Sequence, residues 1–207
     1  MSSEFSSDVT PVEPLERRRA APSSTNLPLV DERTANGEIC ALFARYRERF
    51  AQTDLPGIVL CFATNSVLLK GMLEIAGNLL FGDSLLSRRH KEMIATYISR
   101  RNACSYCADS HGASLGAQGG SPEMICALQD GDLNAELFTS AELALLKFTG
   151  KVNANSSAVT RADVDAAMRA GWTEAQVAEA VHIAALFAAF NRIANGFGLP
   201  SPYPDGL

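Results

Sequence analysis

The sequence has little of several features that define other classes of protein. Only five of its 207 residues are cysteines, too few for a small domain held together by disulfides. Basic residues are not in excess, because the chain has 18 Lys and Arg but 23 Asp and Glu. The resulting net charge of −5 argues against a broad nucleic-acid surface. Hydrophobic residues make up 47% and charged residues 20%, so disorder of the whole chain is excluded.

Long apolar runs and a secretion signal are also missing. A membrane helix needs about 18 apolar residues. The longest candidate, residues 55–69, is interrupted by polar residues and ends at Lys70. Residues 1–25 lack the apolar core of a signal peptide and are rich in Ser, Pro and charge, which predicts a disordered N-terminal tail. We therefore expect no membrane contact and a cytoplasmic protein, in which a close Cys pair is more often metal-binding or redox-active than structural.

Strand-type alternation is absent, and helical periodicity dominates from residue 26 onwards. We predict one all-α domain over residues 26–207 with about seven or eight helices. The predicted segments are 38–50, a long apolar stretch 58–81 after Pro56, 88–101 behind a Ser87 cap, 104–119, 122–128, 140–152, 164–170 and 174–195.

Three chemically active residues share one predicted helix face. Cys104, Cys107 and His111 stand at positions i, i+3 and i+7, which stack on successive turns. Two thiols one turn apart at a helix start can form a disulfide, and the helix terminus there stabilises a thiolate. His111 lies one turn beyond Cys107 and is placed to accept its proton.

Glu92 is predicted to lie beside His111. The break at Asn102 and Ala103 suggests two helices that fold back as an antiparallel pair. At a rise of ~1.5 Å per residue, Glu92 is roughly 16 Å from the break on one helix and His111 roughly 12 Å on the other. A carboxylate beside an imidazole fixes its tautomer and raises its basicity. The spacing therefore predicts a relay from Glu92 through His111 to Cys107, with Cys104 as the disulfide partner.

Other interpretations of this cluster stay open. Cys104, Cys107 and His111 could be three ligands of a structural zinc, but they would need a fourth, and no second Cys-x-x-Cys exists. The thiols could also be merely buried, with an incidental histidine. We favour the redox dithiol over both. Tyr106, between the cysteines, is expected to pack on the helix pair, and a phenolic proton donor is the alternative.

The remaining cysteines, histidines and the tryptophan favour structural roles. Cys40, Cys61 and Cys126 lie in apolar periodic segments, which predicts core packing. His90 is expected to be a solvated first-turn residue, and Trp172 is expected to pack at a helix junction. His182 is expected to be a core or interface histidine rather than a second member of the relay.

The spacing Glu92-x11-Cys104-x2-Cys107-x3-His111 resembles the carboxymuconolactone decarboxylase superfamily, in its AhpD-like alkylhydroperoxidase branch. The amino-acid sequence of residues 102–112 is similar to that of the peroxidase-related members of that branch. The resemblance extends from about Asn26 to Pro200, including residues 27–29 and 190–195 in the flanks.

The resemblance implies an all-helical fold that assembles into trimers, hexamers or other rings. It also implies thiol-dependent peroxidase or disulfide reductase activity without a cofactor or metal. Cys107 would attack the peroxide, Cys104 would resolve the product, and Glu92 and His111 would relay protons. The best-known members carry His where this chain has Tyr106, and tyrosine, with a pKa of ~10, relays protons less readily. The decarboxylase branch lacks the Cys pair, so lactone decarboxylation is disfavoured.

We therefore expect a thiol-based alkylhydroperoxidase that acts in antioxidant defence. Its partners would be a peroxide or disulfide substrate and an external dithiol, which the resemblance suggests is a lipoylated or thioredoxin-like protein. A homo-oligomer is expected, because residues 58–81 and 177–197 carry more apolar surface than a monomer of this size needs to bury. The alternative is a redox-sensing or interaction module whose dithiol switches with little peroxide turnover.

Overall fold

The structure is a computed structural model and describes residues 25–134 and 136–203. Within these ranges it contains nine α-helices, three short 3₁₀ or π segments and no β-strand, so the predicted all-α class is confirmed. The helices are α1 Gly37–Phe50, α2 Gly57–Phe62, α3 Ser66–Ile75, α4 Arg88–Arg101, α5 Ser105–Ala117, α6 Pro122–Asp130, α7 Ser140–Asn155, α8 Arg161–Arg169 and α9 Glu174–Phe197. The predicted N-terminal tail lies almost entirely outside the described residues.

Side-chain caps begin most of these helices. The side chain of Ser87 accepts the backbone N–H of His90 at the start of α4, as the sequence predicts. Thr139 and Thr173 form capping boxes with Glu142 and Gln176 at the starts of α7 and α9. Each cap satisfies backbone donors that the first helical turn leaves without a partner.

The apolar stretch 58–81 is not continuous helix, and this part of the prediction is wrong. Asn65 adopts an extended conformation, and its side chain accepts the backbone N–H groups of Val67 and Leu68. This cap ends α2 and starts α3 in a new direction. A π-helical turn, Ala76–Leu80, then closes α3. The division brings α2 against α9 and α3 against α1.

Helix α4 is the centre of the fold. Residues 91–99 are all buried, and α4 packs against α5, α6, α7 and α9. Even Lys91 is only 1% exposed, and its ammonium donates to the carbonyl of Gly82 at 2.8 Å. A helix buried on every side is held in one position by its neighbours. Functional side chains on α4 are therefore fixed relative to those on α5.

Some predicted environments for single cysteines and histidines are wrong. Cys40 and Cys126 are exposed, because each falls on the solvent side of an amphipathic helix; only Cys61 of the three is buried. His182 is exposed on α9, so it is not a core histidine, and its interface role stays a prediction. His90 is partly buried rather than solvated, since its ring meets the edge of Trp172 at a centroid distance of 5.0 Å.

Helix α9 is long and apolar enough to cross a membrane by length and composition alone, and it is the one such helix among the described residues. It packs along one side against α2, α4, α5, α7 and α8. Val177, Ile183 and Phe187 are buried in that contact. The core helix of a globular protein meets the same length and composition criteria.

Candidate active site

The turn between α4 and α5 places Cys104 at the start of a helix. The N–H of Cys104 donates to the carbonyl of Ser99 at 2.9 Å, and the N–H of Ala103 donates to that of Arg100 at 2.9 Å. This pair of bonds is a Schellman motif, in which the residue after the cap is left-handed. Ala103 occupies that position with φ of 52° although it is not glycine. The chain therefore reverses within two residues, and Cys104 becomes the N-cap of α5.

Glu92 and His111 are in direct contact, which confirms the placement predicted from helix rise. Nδ1 of His111 and Oε2 of Glu92 are 2.6 Å apart. The other carboxylate oxygen of Glu92 accepts a hydrogen bond from Nε of Arg88 at 2.5 Å. With its Nδ1–H donated to the carboxylate, the imidazole keeps Nε2 as the basic nitrogen. Phe187 closes the other side, its ring meeting His111 edge-on at 4.6 Å.

Burial and ion pairing act in opposite directions on Glu92. Its side chain is fully buried, which raises the pKa of the carboxyl. The neighbouring His111 and Arg88 lower that pKa by charge and hydrogen bonding, and the net pKa lies below its ordinary value of 4.5. The carboxylate is therefore ionised at neutral pH and able to orient the histidine.

A pH dependence of stability follows from this shift. Because the folded pKa of Glu92 is depressed, its ion pairs stabilise the protein fully above the unfolded value of 4.5, and this stability is lost as pH falls through the folded pKa. We expect the melting temperature to drop below pH 4.5. Glu92→Gln should make that drop shallower, because the substituted side chain does not titrate. Thermal melts of both proteins from pH 7 down to pH 3 check this, and parallel curves would contradict it.

The two thiols are buried and hydrogen-bonded to each other. Cys104 is 1% exposed and Cys107 4% exposed. The Cys107 thiol donates to the Cys104 sulfur, which lowers the pKa of Cys104. Burial raises that pKa, and a hydrogen bond from the backbone N–H of Cys107 lowers it further. The same bond, with burial, raises the pKa of Cys107. Cys104 is therefore the more acidic thiol of the pair, and ionisation of Cys107 is opposed.

A cavity of about 410 Å³ opens beside one of these sulfurs. Cys107 and His111 line it, whereas Cys104 does not. The rest of its wall is mostly apolar and comes from α1, α2, α3, the π turn, α5, α9 and the segments beside them: Tyr46, Phe50, Pro56, Gly57, Ile58, Val59, Met72, Leu73, Ala76, Leu80, Phe81, Tyr106, Phe187, Phe190, Pro202 and Tyr203, with the polar residues Gln52, Ser110 and Ser114. Cys107 is therefore the sulfur that a ligand in the cavity would meet first.

Tyr106 ties α2 to α5 at the edge of the cavity. Its hydroxyl oxygen accepts the backbone N–H of Ile58 at 3.2 Å. Burial raises the pKa of Tyr106 to about 12. The phenol therefore keeps its proton at neutral pH and does not replace a titrating histidine. Its ring packs in the apolar cluster that includes Cys61, Cys107 and Leu199.

Sequence reasoning missed two polar side chains of the site. Arg88 binds the buried carboxylate of Glu92. The two residues are four apart on one helix, a spacing that predicts an ion pair. Asn191 lies 0% exposed on α9 and hydrogen-bonds Asn102 and Ser99 near the start of α5, and nothing in its local sequence indicates these contacts. In the described part of the chain, no group of three or more His, Cys, Asp or Glu side chains could hold a metal ion. The zinc alternative thus finds no ligand set there.

A known protein family matches the segment that carries this site. Residues 67–149, which include Glu92, both cysteines and His111, match the model of the Carboxymuconolactone decarboxylase family. No curated protein matches the chain in sequence.

Solved structures share the fold. An alkylhydroperoxidase AhpD core, an uncharacterized peroxidase-related protein from Ralstonia eutropha JMP134, is 25% identical, with a TM-score of 0.77 over 88% of this chain and 94% of that one. An uncharacterized peroxidase-related protein from Silicibacter sp. TM1040 is 24% identical, with a TM-score of 0.73 over 91% and 94%. A protein of unknown function from Agrobacterium tumefaciens, provisionally described as an AhpD antioxidant defence protein, is 20% identical, with a TM-score of 0.60 over 67% and 93%.

The matched segment and the shared helical fold make this chain similar to the Carboxymuconolactone decarboxylase family. The solved structures that share its fold are described as AhpD-like or peroxidase-related proteins.

Proposed function

We propose that the protein is a thiol-dependent peroxidase that reduces organic hydroperoxides. The observation that carries this is the joint exposure of Cys107 and His111 to one cavity, with His111 held by Glu92 at 2.6 Å. A thiol, a base and an orienting carboxylate are the three parts that an activated sulfur nucleophile requires.

In the first step the Cys107 sulfur attacks the terminal oxygen of the hydroperoxide. His111 takes the thiol proton and passes it to the departing alkoxide, so that one alcohol leaves and the O–O bond is broken. The sulfur is oxidised by two electrons to a sulfenic acid, and the peroxide is reduced by the same two electrons.

In the second step Cys104 resolves the intermediate. Its thiolate attacks the Cys107 sulfenic acid, forms the disulfide and releases hydroxide, which leaves as water after protonation through His111. An external dithiol then reduces the disulfide by thiol–disulfide exchange and is itself oxidised. We propose a lipoylated or thioredoxin-like protein for this role. No metal or organic cofactor takes part in these steps.

The cavity wall supports an apolar organic peroxide over hydrogen peroxide as the substrate. Its lining is mostly aliphatic and aromatic, and its volume of about 410 Å³ falls in the range of small-molecule pockets. Burial of an alkyl or aryl group there contributes roughly 25 cal/mol for each Å² removed from water. Hydrogen peroxide has no such group to bury.

Assembly into a homo-oligomer, a trimer or hexamer by resemblance, is also proposed. Helix α3 exposes Val67, Leu68 and Ile75 at 75%, 55% and 53%. Exposed aliphatic residues grouped on one helix are typical of a subunit contact. We place the protein in the cytoplasm, where reduced dithiols recycle it.

A redox-sensing module is the second candidate, and Tyr106 is the observation that favours it. The tyrosine replaces a histidine of the best-known relatives and does not titrate near neutral pH. In that case the dithiol would oxidise and switch the protein without sustained turnover.

Steady-state turnover separates the two functions. We expect the purified protein to consume cumene hydroperoxide continuously with dihydrolipoamide or a reduced thioredoxin, and to consume hydrogen peroxide with a lower kcat/KM. If the protein consumes one equivalent of hydroperoxide and then stops, whichever dithiol is supplied, the result would favour the sensing module. No consumption at all would reject the peroxidase.

A further inference from the structure

The segment that follows α9, residues 199–203, turns back across the site. Helix α9 ends at Gly198, whose φ of 72° lies in the left-handed region that favours glycine. The chain then places Leu199, 9% exposed, in the buried cluster that holds Cys104 and Cys107. Its side chain lies against Gly57 at the start of α2, where a Cβ would lie only 3.0 Å from Cδ2 of the leucine. The segment is therefore anchored in the core beside the thiols.

A hydrogen-bonded serine fixes the direction of the segment beyond this anchor. The hydroxyl of Ser201 donates to Oδ2 of Asp109 on α5 at 2.5 Å, and the same hydroxyl oxygen accepts a hydrogen bond from the backbone N–H of Tyr203 at 3.0 Å. A hydroxyl can do both, because it carries one donor and two acceptor lone pairs. The other oxygen of Asp109 accepts a hydrogen bond from Nε2 of Gln129 on α6 at 3.0 Å. Ser201 thus ties Tyr203 to a carboxylate that a second helix helps to hold in place.

The residues held in this way form one side of the cavity. Pro202 and Tyr203 line it together with Cys107 and His111. Tyr203 is 41% exposed, so it lies where the cavity meets solvent. Asp109 is two residues after Cys107 and two before His111, so one helix carries both the reacting groups and the support of this wall. The width of the opening beside the nucleophile therefore depends on the hydrogen bond between that carboxylate and the segment.

We propose that Tyr203 is a specificity-determining residue, which limits the size of the molecule that reaches Cys107. Asp109 and Ser201 are the positioning residues that hold it there. The inference deepens the proposed function and rests on it in taking Cys107 as the reacting atom. Hydroperoxides with a compact alkyl or single-ring group pass the opening, whereas those with a fused-ring group are held out while the segment is tied down.

Labelling of Cys107 by two reagents of one chemistry tests this proposal. N-methylmaleimide is small, and N-pyrenylmaleimide carries a fused-ring system on the same reactive group. The ratio of their rates at Cys107 therefore measures access, because a change in thiol reactivity alters both rates alike. The rates are measured on the reduced full chain by tandem mass spectrometry, which separates Cys107 from Cys104. The exposed thiol of Cys40 is the internal reference.

Two variants should open the cavity to the larger reagent. Ser201→Ala removes both hydrogen bonds of the hydroxyl, and Tyr203→Ala removes the ring itself. We expect the ratio of pyrenyl to methyl labelling at Cys107 to rise about tenfold in Ser201→Ala, the factor that a hydrogen bond to a charged acceptor contributes to a local opening equilibrium. Tyr203→Ala should raise the ratio at least as far. Neither residue is buried, so neither substitution leaves a hole in the core.

Two further variants separate this tie from a general loosening of the protein. Ser201→Thr keeps the hydroxyl and should retain the ratio of the parent protein. Ser157→Ala is the matched control, since it removes an exposed hydroxyl that donates to Oδ1 of Asn155 at 2.8 Å and does not line the cavity. Its ratio should also equal that of the parent. An unchanged ratio in Ser201→Ala and Tyr203→Ala would overturn the proposal, and so would an equal rise in Ser157→Ala.

Maleimide labelling needs no peroxide, so its result is separate from that of the turnover assay. A ratio that rises in Ser201→Ala, in a protein that consumes no hydroperoxide, would keep the size limit and reject the peroxidase. Continuous turnover with an unchanged labelling ratio would do the reverse.

Discussion

Cys107→Ser is expected to abolish peroxide reduction completely. The helix terminus favours a charge on Cys104, but that effect is worth ~0.3–1 kcal/mol, or up to ~2 kcal/mol when partly buried. A positioned base contributes ~10²–10⁴-fold in rate, or roughly 3–5 kcal/mol at ~1.36 kcal/mol per decade. His111 is one turn from Cys107 and two from Cys104, and Cys107 is the sulfur that lines the cavity.

The lowered pKa of Cys104 does not reverse this assignment. The hydrogen bond between the sulfurs lowers the pKa of Cys104 and raises that of Cys107, but in the proposed reaction His111 takes the Cys107 proton. Access to the cavity then decides which sulfur meets the peroxide. Cys126→Ser, at an exposed thiol on α6, should leave turnover unchanged, and stopped-flow peroxide consumption compares the three proteins. Measurable turnover by Cys107→Ser would refute the assignment.

Glu92→Gln and His111→Gln should each slow sulfenic acid formation by about 10²–10⁴-fold, the usual contribution of a positioned acid or base. Removal of His111 takes away the base. Replacement of Glu92 leaves the histidine without the carboxylate that fixes Nδ1 as the protonated nitrogen, and it removes the charge partner of Arg88. The double variant should be no slower than His111→Gln alone, because the two residues act as a unit.

Glu142→Gln is the matched control for this pair. Glu142 is also a buried carboxylate that pairs with an arginine, Arg89, but it does not line the cavity. Its replacement should lower stability while leaving the single-turnover rate within about twofold, as expected for a site with no partners in common. Equal rate losses in Glu92→Gln and Glu142→Gln would mean that the relay variants act through folding alone.

The centre of the site could be predicted from the sequence because it rests on local geometry. Cys104, Cys107 and His111 lie within two turns of one helix, and a single break joins that helix to the one carrying Glu92. Helix rise alone then sets the contact that the structure shows at 2.6 Å.

The rest of the site depends on contacts between distant segments, which periodicity does not reveal. The Asn65 side chain caps a new helix inside an apolar run, and apolar spacing alone did not show the break. Asn191 is 89 residues from Asn102 along the chain but within 2.9 Å of it in space. Tyr106 meets Ile58, 48 residues away, and Pro202 and Tyr203 close the cavity from the C-terminal segment.

Mass spectrometry of the Cys104→Ser protein after one equivalent of cumene hydroperoxide tests the central claim most directly. Without the resolving thiol, the account predicts one added oxygen on Cys107, trapped as a sulfenic acid adduct, and no recycling by dithiols. The reciprocal Cys107→Ser protein should gain no oxygen on Cys104. An oxygen on Cys104 in that protein, with none on Cys107 in Cys104→Ser, would contradict the account and exchange the roles of the two cysteines.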